Sequence, residues 1–122
     1  MARTSDRCFA PGIKLWITND RREGVFGEGK FRLLHDVELC GSLRQAAAAN
    51  NISYRKAWGD IRKAEERLNV PLLRRERGGS GGGSSTITPQ AAALLEAYGR
   101  FRDEVVRYAR RQFALRLRRI MI

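Results

Sequence analysis

Apolar residues recur every three or four positions along most of this 122-residue chain, and in shorter stretches they alternate with polar ones. The first spacing is typical of amphipathic helices and the second of half-buried strands. Together they predict four helices and two β-hairpins. The first hairpin comprises a strand at residues 13–18, a charged turn, and a short return strand at Val25 and Phe26. Residues 1–11 are polar, and we expect them to be flexible.

The first predicted helix spans residues 30–40, with Phe31, Leu34 and Val37 on its buried side. Gly41 follows directly, and glycine at this position commonly ends a helix in the left-handed conformation. The chain therefore turns at Gly41 into its next helix.

Two short helices joined by a tight turn are predicted between residues 41 and 68. Ser42 and Gln45 form an S-x-x-Q capping box, which marks the start of the first of them. Asn50 and Asn51 end it, because asparagine tolerates the left-handed conformation. Ser53 caps the second helix, whose apolar positions follow a three-four spacing: Ala57, Trp58, Ile61, Ala64 and Leu68.

A helix of small residues packed across a longer amphipathic helix is the helix-turn-helix arrangement, in which the second helix enters the DNA major groove. The alternative is a generic helical hairpin without a nucleic-acid partner. The sequence of this segment alone leaves both open.

A glycine-rich run, residues 78–83, is flanked by Leu72 and Leu73 on one side and Ile87 on the other. We interpret it as the tip of a β-hairpin, or wing, although a flexible interdomain linker would share this composition. A phosphate-binding loop is rejected because the GK[ST] ending and the strand-to-helix setting are missing.

The last helix starts with Thr88 as its cap and Pro89 as its first residue. Its apolar residues continue in a three-four alternation over several turns, which is longer than a small domain needs for its own core. We therefore expect a homodimer held by this helix through Leu94, Tyr98, Phe101, Val105 and Tyr108. Whether residues 113–122 extend the helix or dock separately is left open.

The charge narrows the choice of partner. The net charge is +11, from 24 basic and 13 acidic side chains, and the excess is spread over the predicted folded segments. A polyanionic partner is expected. Cys8, Cys40 and the single His35 have no metal-ligand spacing, so we expect no metal, no cofactor and no catalytic centre. No signal peptide or apolar run of membrane-spanning length is present, and we expect a cytoplasmic protein without a membrane partner.

Four motifs resemble the N-terminal DNA-binding domain of ModE-type molybdate-responsive regulators, which are relatives of the LysR-type winged helix. They are FGEGKFRLL at 26–34, GSLRQAA at 41–47, ISYRKAW at 52–58 and RGGSGGGSSTIT at 77–88. The resemblance runs from residue 12 to about residue 101. It implies a mostly α (α+β) winged helix-turn-helix that binds double-stranded DNA and dimerises through its long last helix. We expect three segments: a flexible N-terminus at residues 1–11, a DNA-binding domain at 12–88, and a dimerisation helix with a basic tail at 89–122.

Full-length members of that family carry a C-terminal molybdate-binding region. No residue of this sequence matches an oxyanion site, so we expect no molybdate-binding region in this chain.

The face of the second helix opposite its apolar positions carries the expected DNA contacts. Lys56 and Arg55 can donate to guanine, Asp60 can accept from cytosine, and Tyr54 can offer its hydroxyl or ring. Arginines outside this helix are better suited to phosphate. The complete set is Arg44, Ser53, Tyr54, Arg55, Lys56, Asp60, Lys63, Arg74, Arg75 and Arg77.

Two other classes of function stay open: a nonspecific architectural or RNA-binding protein, and an enzyme, for which His35 and the two separated cysteines offer no converging acid, base or nucleophile. A nonspecific architectural protein remains the alternative to a sequence-specific regulator. An RNA-binding protein would need stacking aromatics on a sheet, and Trp16 is the only plausible one.

Overall fold

The computed structural model describes residues 8–76 and 84–121. The described elements are β1 (Trp16–Thr18), β2 (Gly24–Gly27), α1 (Glu28–Cys40), α2 (Leu43–Ala49), α3 (Tyr54–Leu68), β3 (Leu73–Glu76), β4 (Ser84–Ile87), α4 (Pro89–Arg116) and α5 (Arg118–Met121). This order confirms the predicted mostly α fold, a winged helix-turn-helix with an N-terminal hairpin and a long C-terminal helix. The predictions for residues 1–7, for Arg77 and for the glycine run lie outside the described residues.

The first hairpin is shorter than the sequence predicted, because β1 begins at Trp16 and not at residue 13. β1 and β2 pair antiparallel with Ile17 opposite Phe26, and the register shifts after Ile17. Asn19 organises the turn, since its side-chain Oδ1 accepts hydrogen bonds from the backbone N–H of Arg21 and Glu23, both at 3.0 Å.

Gly41 ends α1 as predicted. Its φ of 72° is left-handed, a conformation that glycine adopts without steric cost. The N–H of Gly41 donates to the carbonyl of Val37 at 2.8 Å, which satisfies an orphan acceptor at the helix end. The same turn places Ser42 to begin α2, so one glycine sets the path from α1 into the helix-turn-helix.

β3 and β4 form the second hairpin, which we call the wing (residues 73–76 and 84–87). They pair antiparallel, with Leu73 opposite Ile87 and Arg75 opposite Ser85. Thr88 joins the wing to α4. Its hydroxyl donates to the carbonyl of Pro71 at 2.6 Å and accepts from the N–H of Ala91 at 3.0 Å, which confirms the predicted cap.

The core gathers the buried faces of α1, α2 and α3 with side chains from β2, the wing and the start of α4. Its largest buried apolar members are Phe26, Leu33, Leu34, Val37, Leu43, Ile61 and Leu72. Burying each such side chain stabilises the fold by about 1.5–3 kcal/mol. The core therefore fixes the orientation of α3, whose opposite face is left to solvent.

The contacts divide the chain into two compact units. One is residues 15–98, which contains the whole helix-turn-helix and the wing. The other comprises residues 1–14 and 99–122, and its described part includes most of α4. α4 ends at Arg116, and α5 follows as a separate short helix after Leu117. For residues 113–121, this answers the question that the sequence left open. The predicted division at residues 12 and 88 stays a prediction.

Candidate nucleic-acid interface

α3 presents a basic face because its apolar residues are drawn to the core. The Ser53 hydroxyl accepts a hydrogen bond from the N–H of Lys56 at 3.0 Å, which fixes the start of the helix. Ala57, Ile61 and Ala64 are buried. The side chains predicted to face outward are exposed in the structure: Arg55, Lys56, Arg62 and Lys63. The predicted orientation of the helix is therefore confirmed.

The turn between α2 and α3 is set by the two asparagines. Asn51 has a left-handed φ of 58°, and the Asn50 side chain donates to the Asp36 carboxylate of α1 at 2.8 Å. At the other end of α2, the Ser42 hydroxyl accepts from the N–H of Gln45 at 3.1 Å, which is one of the two bonds of the predicted capping box. These contacts hold the two helices of the motif in one geometry relative to α1.

Lys56 and Asp60, two of the predicted base-contacting residues, form an ion pair with each other. The Lys56 ammonium lies 3.2 Å from a carboxylate oxygen of Asp60, one helical turn further along. More than half of the lysine side chain is exposed, and pairs of this kind contribute little to stability. A base edge can therefore replace either partner at small cost, and the pair offers a donor and an acceptor side by side.

Tyr54 lies at the centre of a cluster that the sequence did not predict. Its hydroxyl accepts hydrogen bonds from Trp58 Nε1 at 2.8 Å and from the Arg75 guanidinium. The Arg44 guanidinium lies 4.3 Å from the centroid of the Tyr54 ring. The hydrogen bond from Trp58, assisted by Arg75 and Arg44, lowers the pKa of the Tyr54 hydroxyl below its ordinary value. Tyr54 thus links α2, α3 and the wing.

The two described wing arginines differ in their surroundings. Arg75 stacks over Trp58, with its guanidinium carbon 4.6 Å from the ring centroid. Arg74 is exposed and, by strand alternation, points from the opposite side of β3. Both remain candidates for phosphate, but Arg75 is also part of the Tyr54 cluster. Arg77, the third predicted phosphate-binding arginine, lies beyond the last described residue of β3.

Glu65 fixes where the wing begins, and sequence reasoning missed it. A carboxylate oxygen of this α3 residue accepts from the N–H of Leu72 at 2.7 Å and from the N–H of Leu73 at 3.2 Å. α3 and the first wing strand are therefore coupled directly. No spacing rule in the sequence indicates that a glutamate would bond to a backbone seven residues later.

Of the five residues predicted to form the dimer interface, some are buried in the single chain and others are exposed. Leu94 is partly buried against the core, and Tyr98 is within it: only 2% of Tyr98 is exposed, and its hydroxyl donates to the carbonyl of Leu15 at 2.9 Å. This corrects the expectation that Tyr98 is on the outer stripe. Phe101 and Tyr108 are 51% and 62% exposed, and Val105 between them is half-buried.

Neither a metal centre nor a membrane span is found in the described part of the chain. Among residues 8–76 and 84–121, no three His, Cys, Asp or Glu side chains are grouped to hold a metal ion. No helix in these ranges has both the length and the apolar character for crossing a bilayer. Cys8 and Cys40 are free and exposed.

Comparison with known proteins matches the region that contains the helix-turn-helix. Residues 29–92 match the family model described as bacterial regulatory helix-turn-helix protein, lysR family. The transcriptional regulator ModE of Haemophilus influenzae is 38% identical over 86 residues, covering 70% of this chain and 34% of that protein. The molybdenum-pterin-binding protein MopB of Rhodobacter capsulatus is 32% identical over 93 residues, covering 76% of this chain and 33% of that protein.

A third relative, the DNA-binding transcriptional dual regulator ModE of Escherichia coli, is 33% identical over 69 residues, or 57% of this chain and 26% of that protein. The chain thus spans about a third or less of the length of these relatives. The match covers α1, the helix-turn-helix, the wing and the start of α4. On this basis the chain belongs to the LysR-type family of bacterial regulatory helix-turn-helix proteins and is similar to the ModE regulators.

Proposed function

We propose that this chain is a sequence-specific DNA-binding transcriptional regulator that acts as a homodimer. The observation that carries the proposal is the exposed basic face of α3, with Arg55, Lys56 and Lys63 directed away from the core. A helix that presents cationic donors at the second position of a helix-turn-helix fits the major groove. The relatives named as transcriptional regulators support the same function.

Within this proposal the side chains have different roles. Arg55 and Lys56, near the start of α3, donate to base edges, and Asp60 accepts from a base when it separates from Lys56. Ser53 and Lys63 lie at the edges of this face. Arg44, Arg74, Arg75 and Arg77 bind phosphate and fix the register of the protein on the duplex.

The homodimer is supported by the exposed apolar side chains of the second unit. Phe101 and Tyr108 in α4, and Leu115 near its end, are all more than half exposed in the single chain. Burying such side chains against a second copy is favourable by about 1.5–3 kcal/mol for each that is fully covered. A twofold dimer presents two recognition helices to half-sites roughly 34 Å apart, so the operator is an imperfect palindrome.

Two measurements test this function. Selection from a random duplex library, followed by genome-wide mapping of bound DNA, should return one palindromic site. Affinity for that site should fall steeply with salt, because each neutralised phosphate contributes about 0.9 to the slope of log K against log salt. A protein that binds all duplexes equally would instead be architectural, and a protein that binds none would refute the proposal.

A further inference from the structure

An open cavity of about 490 Å³ lies beside α3, bounded by β2, the start of α1 and the turn before α3. Its charged lining comprises Lys30 and Arg32 of α1 and Lys56 and Asp60 of α3. Three cations and one carboxylate line the cavity, which leaves the lining a net positive charge. The carboxylate is paired with Lys56, and Arg32 makes an exposed ion pair with Glu28, outside the lining, at 3.7 Å. The exposed ring of Trp16 forms part of the wall.

The cavity and the wing lie on opposite flanks of the recognition helix. Successive residues of an α-helix are about 100° apart around its axis. Tyr54 and Trp58, which contact the wing arginine Arg75, therefore share one flank. Lys56 and Asp60, which line the cavity, lie about 160–240° away around the axis, across the exposed face. A helix in the major groove has one phosphate backbone on each side.

Lys30 is crowded by other cations, and the cavity offers it no carboxylate besides Asp60. Burial is the largest cause that lowers the pKa of Lys30; Arg67, Lys56 and Lys63 lower it further, against an opposing effect of Asp60. The positive charge of Lys30 is therefore energetically unfavourable in the free protein. An anion in the cavity would offset this cost.

We propose that this cavity binds a phosphate group of the DNA backbone on the flank of α3 opposite the wing, with Lys30 and Arg32 as its ligands. The Trp16 ring would lie against the adjoining deoxyribose. DNA is the source of the phosphate because Lys56 and Asp60 belong both to the cavity wall and to the helix face that meets the duplex. The inference rests on the proposed function, since it requires a duplex on α3.

The test compares Lys30→Met with Lys14→Met, which removes the same charge from an exposed position outside the cavity. Binding to a mixed-sequence 20-base-pair duplex is measured over a range of salt. Lys30→Met should reduce the slope of log K against log salt by about 0.9 and weaken binding about eightfold near 0.1 M salt. It should also leave thermal stability unchanged or raised, because the charge is unfavourable in the free protein. Lys14→Met should change neither the slope nor the stability.

Arg32→Gln should reduce the slope in the same way, and its effect on stability should be small, because the ion pair that it removes, with Glu28 at 3.7 Å, is exposed. If Lys30→Met and Arg32→Gln both retain the wild-type slope, the inference is overturned, while wild-type DNA binding still supports the proposed function. Calorimetric titration with inorganic phosphate tests whether the cavity instead binds a free anion from solution. Submillimolar phosphate binding that Lys30→Met abolishes, with DNA affinity unchanged, would identify a site for a free anion and also overturn the inference.

Discussion

The guanidinium of Arg75 stacks on the indole of Trp58, 4.6 Å from the ring centroid, and so joins the first wing strand to the recognition helix. Stacking of this kind contributes about 0.5–2 kcal/mol, depending on desolvation. The Tyr54 hydroxyl reinforces it by accepting hydrogen bonds from both residues. The position of the wing relative to α3 is therefore set by Arg75 and Tyr54, which the sequence assigned to DNA, together with Trp58, which the sequence placed among the apolar positions of the helix.

Replacing Tyr54 by phenylalanine should destabilise the protein by about 1 kcal/mol, because the Trp58 N–H and Arg75 lose a shared acceptor. Urea unfolding measures the change in the free energy of unfolding. Tyr108→Phe is the matched control, since it removes the hydroxyl of a side chain that is exposed in the single chain and keeps the ring that the proposed dimer would bury. Equal stability of the two variants would mean that the Tyr54 cluster does not hold the wing.

Glu65→Ala should cost about 1–3 kcal/mol of stability, because the N–H groups of Leu72 and Leu73 lose their acceptor. The neighbouring Glu66 is exposed, so Glu66→Ala serves as the control with the same change of charge. Urea unfolding compares the two. We also expect Glu65→Ala to weaken DNA binding, since the wing then lacks a fixed starting point. A Glu65→Ala protein as stable as the Glu66→Ala protein would contradict this role.

Gly59→Ala should separate stability from DNA binding. Gly59 lies on the exposed face of α3, and an added Cβ would meet no atom within 4 Å. Alanine should therefore stabilise the helix by about 0.5–1 kcal/mol. If α3 approaches the groove floor closely at this position, the same methyl group weakens operator binding. A rise in thermal stability with unchanged affinity would show that DNA does not approach Gly59.

Arg55→Ala and Lys56→Ala should each weaken binding to the operator by about 1–3 kcal/mol and relax one position of the site. Binding to random duplex DNA should change less. Arg74→Ala, outside α3, should weaken both kinds of DNA by similar factors, as expected for a phosphate contact. Competition binding with operator and random duplexes gives both values. If Arg55→Ala and Lys56→Ala weaken both kinds of DNA binding by similar factors, as Arg74→Ala does, the residues that contact bases lie elsewhere on the domain.

Phe101→Asp should dissociate the homodimer and abolish binding to the full palindrome. Phe101 is half exposed in the single chain, so a carboxylate there is tolerated by the monomer and costly only in an interface. Arg110→Gln is the control, because it also lowers the net charge by one and lies nine residues on, on the other side of α4. Light scattering at micromolar concentration reports the mass. A monomeric wild-type protein would rule out the proposed dimer.

Local signals in the sequence determined most of the secondary structure. The caps Ser42, Ser53 and Thr88 were predicted from the residue type and the spacing, and each makes the expected bond to the N–H three residues on. Gly41 takes the left-handed conformation that its place after a helix predicts. These features depend on bonds between near neighbours, so residue type is sufficient to predict them. The three-four spacing of α3 determined which of its faces is exposed for the same reason.

Tertiary structure decided which side chains share a surface. Arg67 of α3 ion-pairs with Glu23 of the first hairpin at 3.0 Å, and Tyr98 enters the core to reach Leu15, contacts that join residues 44 and 83 positions apart. Lys30 meets Lys56 and Asp60 in one cavity by the same long-range packing. Periodicity assigns a residue to a face of its own helix, but the neighbour of that face depends on how the core packs α1, α3 and the wing together. The long-range contacts, and with them the cavity and the Tyr54 cluster, could therefore be found only in the folded chain.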